Sequence, residues 1–382
     1  IIPFYNMQKI LIIAFTDLKN DSRVYRQIDF LKEKYKITTV GLKNSEIENV
    51  DFYQINPILR SNPKRFFRAF DYKLRRFDKI YWSLFQFNQI IPLLLQKKFD
   101  LIIANDIETM PLVLKIKKKA KIILDAHEYS SRQFEDQFIW RFFFKKYNEY
   151  MCKTYIKCCD TMLTVSEGIA NEYKKNYDRL PIIITNAAEY ENLNPSPTSE
   201  NKIRLILHSA ASPSRKIELI ITMMKFLDTR FTLDLMLMPN NKRYFNKLKK
   251  SASNNPKIKF IPPVKMKEIP SFINHYDIGT YVLKPNNFNQ KYSLPNKFFE
   301  FIQARLALAI GPSPEMEKIV KRYNLGVIAS DFSPKEMAKV LNKLDKGKID
   351  FYKNQSHKFS LELSSKHNMK RLDKIIFDLL KT

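Results

Sequence analysis

Two polar residues of the first half directly follow short apolar runs. His127 comes after Lys121–Ala126, and Asp106 follows Phe99–Ala104 with one residue between. Because the carboxyl ends of parallel strands meet at one edge of a sheet, these side chains are placed to orient a hydroxyl group or to pass on a proton. A lone histidine at such a position also serves as a capping or structural residue, and the sequence leaves that alternative open.

A second candidate site follows the apolar run Ile203–Leu207. Small residues, among them Ser209 and Ala210, leave backbone N–H groups accessible there, and Arg215 and Lys216 stand just before an apolar helical pattern. Such a helix start can hold a pyrophosphate without a metal ion. Basic residues at a helix N-terminus oppose the helix dipole, so a bound anion would explain them. A solvated charge pair in a Lys-rich chain is an equally good explanation.

The most specific segment runs from Tyr292 to Glu300 and reads YSLPNKFFE. Ser293 can cap a helix and Pro295 suits its first turn, which places Glu300 one to two turns into that helix. A carboxylate there can accept hydrogen bonds from two ribose hydroxyls while the helix start faces phosphate. The alternative is a plain capped helix with one exposed glutamate.

The apolar runs alternate with amphipathic stretches, which is typical of βαβ units and a mostly parallel sheet. The polar, proline-containing segment Asn192–Asn201 interrupts the series and has the composition of a linker. We therefore predict an α/β protein of two Rossmann-like domains, residues 1–195 and 196–355, whose parallel sheets face a central cleft, with a C-terminal helix over 356–382 that packs back on the first domain. The predicted strands are Lys9–Phe15, Lys36–Leu42, Phe99–Ala104, Lys121–Ala126, Thr161–Val165 and Ile182–Thr185, then Ile203–Leu207, Phe231–Met238, Ile258–Ile261, Asp277–Val282, Leu306–Ile310 and Gly326–Ile328.

The composition excludes several classes of protein. The 382 residues carry a formal charge of +27, which favours polyanionic partners such as nucleic acid, anionic lipid or a phosphate-bearing ligand. The six glycines are too scattered for a dinucleotide fingerprint or a P-loop. The three cysteines lack the spacing of a zinc site, and reduced thiols suit a cytoplasmic protein. The longest apolar runs are far shorter than the roughly 20 residues that span a bilayer.

Taken together, the motifs resemble those of retaining glycosyltransferases of family four, which have the GT-B fold and use nucleotide-sugar donors. The resemblance covers nearly the whole chain and keeps the order of the motifs. The matching residues are Asp21-Ser22-Arg23-Val24, Asn105-Asp106 through Met110-Pro111, Asp125-Ala126-His127-Glu128, Val165-Ser166, Asn186, Arg215 with Glu218-Leu219-Ile220, Tyr276-Asp277-Ile278-Gly279, and Ser293-Leu294-Pro295-Asn296-Lys297 with Phe299-Glu300.

The resemblance implies an acceptor-binding first domain and a second domain that binds the nucleotide-sugar. Arg215 with Lys216 would bind the donor diphosphate and stabilise it as the leaving group, and Glu300 would hold the ribose. The donor-binding residues implied in this way are Arg215, Lys216, Ser209, Ala210, Ser293, Leu294, Pro295, Asn296, Lys297 and Glu300, and the implied catalytic residues are His127, Asp106 and Arg215.

The sequence departs from the family pattern at three places. Tyr292 stands where the family has the first of two paired glutamates, so contacts to the donor from that side are expected to differ. A glycine-rich first loop is replaced by the residues from Thr16 to Asn20, and Arg305 and Ala307 stand where a glycine and a proline are common.

The expected function is transfer of a sugar, with retention, from a nucleotide-sugar to a hydroxyl acceptor, in surface polysaccharide or glycolipid assembly. No Asp-x-Asp pair occurs in the chain. Cationic side chains and helix N-termini would then stabilise the diphosphate, so we expect no metal and no cofactor beside the co-substrate. The expected acceptor is a glycan or a lipid-linked molecule.

Two stretches, Lys64–Phe87 and Trp140–Tyr155, interleave basic and aromatic residues. Such segments can rest on an anionic membrane, which would suit a cytoplasmic protein at the membrane face. They can equally be ordinary core aromatics with solvent-facing lysines. A non-catalytic basic protein that binds nucleic acid or anionic membrane is therefore the alternative function, with nucleic acid the less favoured partner of the transferase.

Overall fold

The structure, a computed structural model, describes residues 7–58 and 70–381. Within these residues the strands form one sheet of seven and one sheet of six, and all paired strands are parallel. The strands are β1 (Lys9–Ile13), β2 (Lys36–Gly41), β3 (Asp51–Gln54), β4 (Leu101–Asn105), β5 (Lys121–Ala126), β6 (Thr161–Thr164) and β7 (Ile182–Ile183) in the first sheet, and β8 (Ile203–Ala210), β9 (Phe231–Met238), β10 (Ile258–Ile261), β11 (Ile278–Tyr281), β12 (Ala307–Ile310) and β13 (Gly326–Ile328) in the second.

The strand orders are those of Rossmann folds. The first sheet is ordered β3-β2-β1-β4-β5-β6-β7, and the second is ordered β10-β9-β8-β11-β12-β13. Central strands such as β1 are buried apolar runs because helices cover both faces of a parallel sheet. The predicted fold class, two Rossmann-like α/β domains, is confirmed.

Helices connect the strands. They are α1 (Ser22–Leu31), α2 (Phe77–Trp82), α3 (Phe87–Leu95), α4 (Met110–Ile116), α5 (Phe138–Phe143), α6 (Lys145–Tyr155), α7 (Glu167–Tyr177), α8 (Glu218–Met223), α9 (Lys242–Ala252), α10 (Ile269–Ile273), α11 (Phe288–Lys291), α12 (Asn296–Gln303), α13 (Pro314–Tyr323), α14 (Pro334–Leu341), α15 (Lys346–Phe359) and α16 (Ser365–Lys381).

Internal contacts divide the chain into two compact units. The first unit contains the described residues up to Thr185, together with Asn287–Asn289 and the chain from Met369 onward. The second unit contains Asn186–Asn286 and Gln290–Asn368. The segment Asn192–Asn201 contains neither helix nor strand.

The C-terminal helix α16 contributes to the core of the first unit. Met369, Leu372 and Ile376 are buried in the same apolar cluster as Ile10 of β1. The carboxylate of Asp373 accepts a hydrogen bond from the Tyr35 hydroxyl at 3.0 Å. Burial of this apolar stripe holds the last helix on the first sheet.

A glycine in β13 allows close approach of the neighbouring strand. A Cβ at Gly326 would lie 1.9 Å from the carbonyl oxygen of Leu308, with which Gly326 is in register. We expect Gly326→Ala to lower the free energy of unfolding by about 1–3 kcal/mol, since the strand must shift to relieve the clash. Urea unfolding measures the change.

The matched control is Gly347→Ala in α15. A Cβ there would meet only the Asp345 carboxylate, at 3.5 Å. Alanine in a helix is favoured over glycine, so this variant should unfold at an unchanged or slightly higher urea concentration, by up to about 1 kcal/mol. Equal losses in both variants would contradict the strand-packing explanation.

Candidate functional site

The carboxyl edge of the second sheet brings together residues from three elements. Ser209 lies near the end of β8, Tyr281 is the last residue of β11, and Lys297 is the second residue of α12. The Lys297 ammonium donates a hydrogen bond to the Ser209 hydroxyl at 2.8 Å and lies 5.2 Å from the centre of the Tyr281 ring. The strand edge and the helix start therefore meet at one lysine.

These three residues and Arg215 line one cavity. The other walls of the cavity are apolar: Leu207, Ile217, Ile220, Val282 and Leu283. Few polar groups placed among apolar walls are typical of sites for small ligands. The positive side chains are the feature that selects the kind of ligand.

The surroundings of Lys297 disfavour its protonated, charged form. Burial, and then the positive charge of Arg215, lower the pKa of Lys297 to about 7, and the Glu300 carboxylate only partly opposes them. Burial raises the pKa of the Tyr281 phenol although the Arg215 guanidinium opposes the shift, and the hydroxyl makes no well-aligned hydrogen bond with a described residue. A bound anion would compensate the two cations and could accept from the phenol.

Arg215 ends the short 3₁₀ helix Pro213–Arg215, and its side chain is exposed. Lys216 follows with φ 48°, in the left-handed region, and turns the chain into α8. The structure thus places both basic residues before the first turn of the helix.

β8 runs three residues farther than predicted, through Ala210 instead of Leu207. Ser209 and Ala210 pair in register with Leu237 and Met238 of the equally long β9. The predicted end of this strand at Leu207 was therefore wrong. Their backbone belongs to the sheet, and the Ser209 hydroxyl is the group that reaches the cavity.

Glu300 is buried, so the alternative of one exposed glutamate does not describe it. Its Oε2 lies 3.2 Å from Nε2 of His208, which precedes Ser209 in β8. Burial, and then the charge of Lys297, lower the pKa of His208 to about 3, so the imidazole is neutral at pH 7. Glu300 therefore lies beside a neutral imidazole.

The predicted cap of the SLPNK helix was wrong. α12 begins at Asn296, with Pro295 in extended conformation at the N-cap position. The Ser293 hydroxyl instead donates to the carbonyl of Gln290 at 3.0 Å, which closes the preceding turn. Leu294 is buried between these two turns and anchors the segment in the core. Proline, lacking an N–H group, ends the one turn and starts the other.

The other candidate residues meet at the carboxyl edge of the first sheet. The His127 backbone N–H donates to Oδ1 of Asp106 at 2.8 Å, and Nε2 of His127 lies 3.1 Å from Oδ1 of Asn105. Asp106 has φ 63° and ψ 157°, a region almost confined to glycine. Such strain costs about 1–3 kcal/mol and clusters at functional sites. Burial raises the pKa of the Asp106 carboxyl although His127 opposes the shift.

A buried ion pair between Arg23 and Asp125 lies next to this carboxyl edge of the first sheet. Asp21 caps α1 by accepting from the backbone of Val24, and the second residue of that helix is Arg23. Nε and Nη2 of Arg23 donate to the two carboxylate oxygens of Asp125 at 2.8 and 2.6 Å. Burial alone would raise the pKa of Asp125, but Arg23, together with His127 and the Gln27 amide, holds that pKa below its usual range. Asp125 thus carries a fixed negative charge two residues before His127.

The candidate residues therefore form two groups, one in each unit. Sequence reasoning assigned no role to His208 or Tyr281; the position of His208 directly before Ser209 at a strand end was the available signal. At Tyr292, the residue that departs from the family pattern, the Lys291 ammonium lies 5.3 Å from the ring centre. Aromatic and cationic groups thus occupy that turn.

The described residues contain neither a cluster of metal-binding side chains nor a membrane-spanning helix. In residues 7–58 and 70–381, no group of three or more His, Cys, Asp or Glu side chains is arranged to hold a metal ion. Over the same residues, every helix is too short or too polar to cross a membrane.

No family model matches the chain, and no curated protein matches its sequence. Solved structures do match it over nearly the full length. Sucrose-phosphate synthase from Thermosynechococcus elongatus is 8% identical with a TM-score of 0.73, covering 98% of this chain and 99% of that one. A glycosyltransferase from Rickettsia africae is 13% identical with a TM-score of 0.70, covering 99% and 100%. HepE from Anabaena in complex with UDP and glucose is 11% identical with a TM-score of 0.68, covering 97% and 100%. The chain is thus similar in fold to glycosyltransferases of the GT-B type.

Proposed function

We propose that the protein is a glycosyltransferase that moves a sugar from a nucleotide-sugar to a hydroxyl acceptor. The observation that carries the proposal is the cavity lined by Arg215 and Lys297, where the charge of Arg215 helps to lower the pKa of Lys297. A diphosphate is the ligand that two adjacent cations beside a helix start would hold. The fold agrees, since HepE of similar fold was solved with UDP and with UDP-glucose.

Donor binding is assigned to the second unit. Arg215 and Lys216 would neutralise the diphosphate, and Lys297 with the Ser209 hydroxyl would hold its remaining oxygens. Glu300 would accept from the ribose hydroxyls, since its carboxylate is fixed beside the neutral His208 ring. Ala210 and the residues from Ser293 to Asn296 would line the path of the phosphates and the sugar.

Catalysis is assigned to three residues. Arg215 would stabilise the charge that develops on the leaving diphosphate, which is commonly the largest contribution of an enzyme site. In the first unit, His127 and Asp106 would orient the acceptor hydroxyl. Retention would follow from attack on the face that the diphosphate leaves, with a leaving phosphate oxygen taking the acceptor proton. The acceptor we propose is a glycan or lipid-linked molecule of surface polysaccharide or glycolipid assembly.

Turnover without a metal ion is part of the proposal, since side chains supply the positive charge. We expect the rate of transfer to be the same in EDTA as in Mg²⁺ or Mn²⁺. Initial rates of sugar release from the donor measure this directly. Loss of activity in EDTA that Mn²⁺ restores would contradict the metal-independent mechanism.

The proposal also differs measurably from binding of polyanions without catalysis. Glu300→Ala should abolish release of the sugar from the donor, while Lys339→Ala, an exposed lysine paired with Glu336 in α14, should leave it unchanged. A polyanion-binding protein would instead bind duplex DNA with log K falling by about 0.9 per phosphate contact with log salt, and Glu300→Ala would not change that slope. DNA binding with this salt dependence, unchanged by Glu300→Ala and without donor turnover, would contradict the proposal.

A further inference from the structure

The structure separates the aromatic residues of the two basic stretches into buried and exposed groups. Tyr147 of α6 is buried and packs edge-on against Phe77 and Tyr72, with ring centres 5.7 Å apart in both pairs. Trp140 of α5 is also buried. These aromatics are core residues, as the simpler explanation of the stretches required. The first stretch is described only from residue 70 onward.

The other face of α5 is apolar and exposed. Phe138, Ile139 and Phe142 expose 71%, 67% and 64% of their surface. Phe138 and Phe142 are four residues apart, and their rings stack with centres 6.4 Å apart. The buried Trp140 packs the opposite face of α5 against the unit. Phe138, Ile139 and Phe142 therefore project from the other face toward solvent and form one apolar patch.

Cationic side chains surround this apolar face. Arg141 lies on it, with its guanidinium carbon 6.0 Å from the centre of the Phe138 ring. Lys145 and Lys146, at the start of α6, are exposed, and Lys145 is 3.9 Å from Glu149. The spacing of Phe138, Arg141 and Phe142 puts them on one side of α5, and Lys145 begins α6 after the single intervening residue Phe144.

The nearby carboxylates are already engaged. Glu135 accepts two hydrogen bonds from Arg132, and Asp136 accepts one from the Asn287 side chain at 3.0 Å. Tyr72 packs against Phe144 with ring centres 5.0 Å apart, and Phe70 and Leu74, two residues to either side of Tyr72, are exposed. Arg132 and Lys145 balance Glu135 and Glu149, and Arg141 with Lys146 outnumber Asp136, so the face keeps an excess of one positive charge.

We propose that this aromatic–basic surface, formed by Phe138, Ile139, Phe142, Arg141, Lys145 and Lys146, docks on an anionic lipid bilayer. Bulky apolar side chains that project from a helix held by its opposite face insert into the acyl boundary, and the flanking cations contact lipid phosphates. The aliphatic Ile139 between the two phenylalanines suits hydrocarbon, whereas a base-stacking platform needs flat rings in succession. The surface is independent of the donor cavity.

The test is sedimentation of the full chain with vesicles of phosphatidylcholine containing about one third phosphatidylglycerol, an anionic lipid that supplies the negative surface potential. We expect Phe138→Ser/Ile139→Ser/Phe142→Ser to lower the partition coefficient at least tenfold, and Arg141→Gln/Lys146→Gln to lower it about tenfold at low salt. Leu361→Ser, at a comparably exposed apolar residue of the second unit, is the matched control and should bind as the wild type.

Unchanged thermal unfolding temperatures verify that the variants fold, since the replaced side chains are exposed. Equal vesicle binding by the wild type and the triple serine variant would overturn the proposal. The proposal would also be overturned if the wild type does not bind anionic vesicles but binds single-stranded or duplex nucleic acid, and the triple serine variant loses that nucleic-acid binding. Donor turnover is measured in parallel and should be the same in the triple variant, which separates this proposal from the proposed function.

Discussion

Replacing Lys297 with methionine is expected to weaken binding of a nucleotide-sugar by about 10- to 100-fold and to remove the pH dependence of that binding. The first effect follows from loss of a charge-assisted hydrogen bond to the diphosphate, which contributes about 1.5–3 kcal/mol. Titration calorimetry gives the affinity of both proteins. Methionine fits the apolar walls of the cavity, so the fold should tolerate the change.

The sign of the pH effect follows from the pKa of Lys297. Burial and the charge of Arg215 lower this pKa to about 7 in the free protein. A bound diphosphate favours the protonated lysine and raises its pKa again. Above pH 7 the wild-type protein must therefore take up a proton on binding, and its affinity should fall by up to about tenfold per pH unit.

Lys297→Arg is the control for this prediction. Arginine stays protonated throughout the accessible pH range, so the variant should bind the donor without the loss of affinity above pH 7. Proton uptake is measured by calorimetry in buffers with different enthalpies of ionisation. Wild-type affinity that stays constant from pH 6.5 to about 9 would contradict the role of Lys297.

Replacing Arg23 with leucine is expected to lower the free energy of unfolding by about 3–5 kcal/mol. The variant leaves the carboxylate of Asp125 fully buried and without its bidentate partner, while the Gln27 amide continues to donate to it. Urea unfolding measures the loss. Because Asp125 lies at the end of the strand that presents His127, donor turnover should also fall more than stability alone explains.

Two further variants test this explanation. Arg23→Leu/Asp125→Leu removes both buried charges and should recover much of the stability lost in the single variant. Lys321→Ala breaks only an exposed pair with Glu317, whose loss should cost at most about 1 kcal/mol. A cost of that size for Arg23→Leu as well would show that the buried pair is not the support of this edge.

The sequence predicted the strands wherever burial on both faces requires a continuous apolar run, as in β1 and β4. It missed β3, Asp51–Gln54, because an edge strand is partly exposed and has no such run. The pairing of Arg23 with Asp125 joins residues 102 positions apart, so only the assembled fold brings them together. Both residues belong to the motifs that resemble the family, but the motifs do not indicate that the two side chains are in contact.

The departure at Arg305 has a physical explanation that local sequence could not provide. Its φ is 61°, in the left-handed region that favours the glycine common in the family. The fully buried guanidinium donates to the backbone carbonyls of Leu193 and Gln303 at 3.0 and 2.6 Å. Within the second unit, Arg305 thus ties the irregular segment at Leu193 to the end of α12, and these hydrogen bonds offset its backbone strain.

For the candidate site, residue types and spacing indicated Arg215, Lys297 and Glu300 but not their electrostatic state. The neutral imidazole of His208 and the lowered pKa of Lys297 both result from burial, which the local sequence does not reveal. The same holds for the aromatic stretches, where helical spacing did not distinguish the buried Trp140 from the exposed Phe138.

The most direct test of the account is a calorimetric titration of the wild type, Arg215→Ala and Lys339→Ala with UDP-, GDP-, ADP- and CMP-sugars in EDTA. We expect that the wild type and Lys339→Ala bind at least one of these donors with equal affinity. We expect Arg215→Ala to bind the same donor at least tenfold more weakly. If no nucleotide-sugar binds, or if Arg215→Ala binds as tightly as the wild type, the cavity is not a donor site.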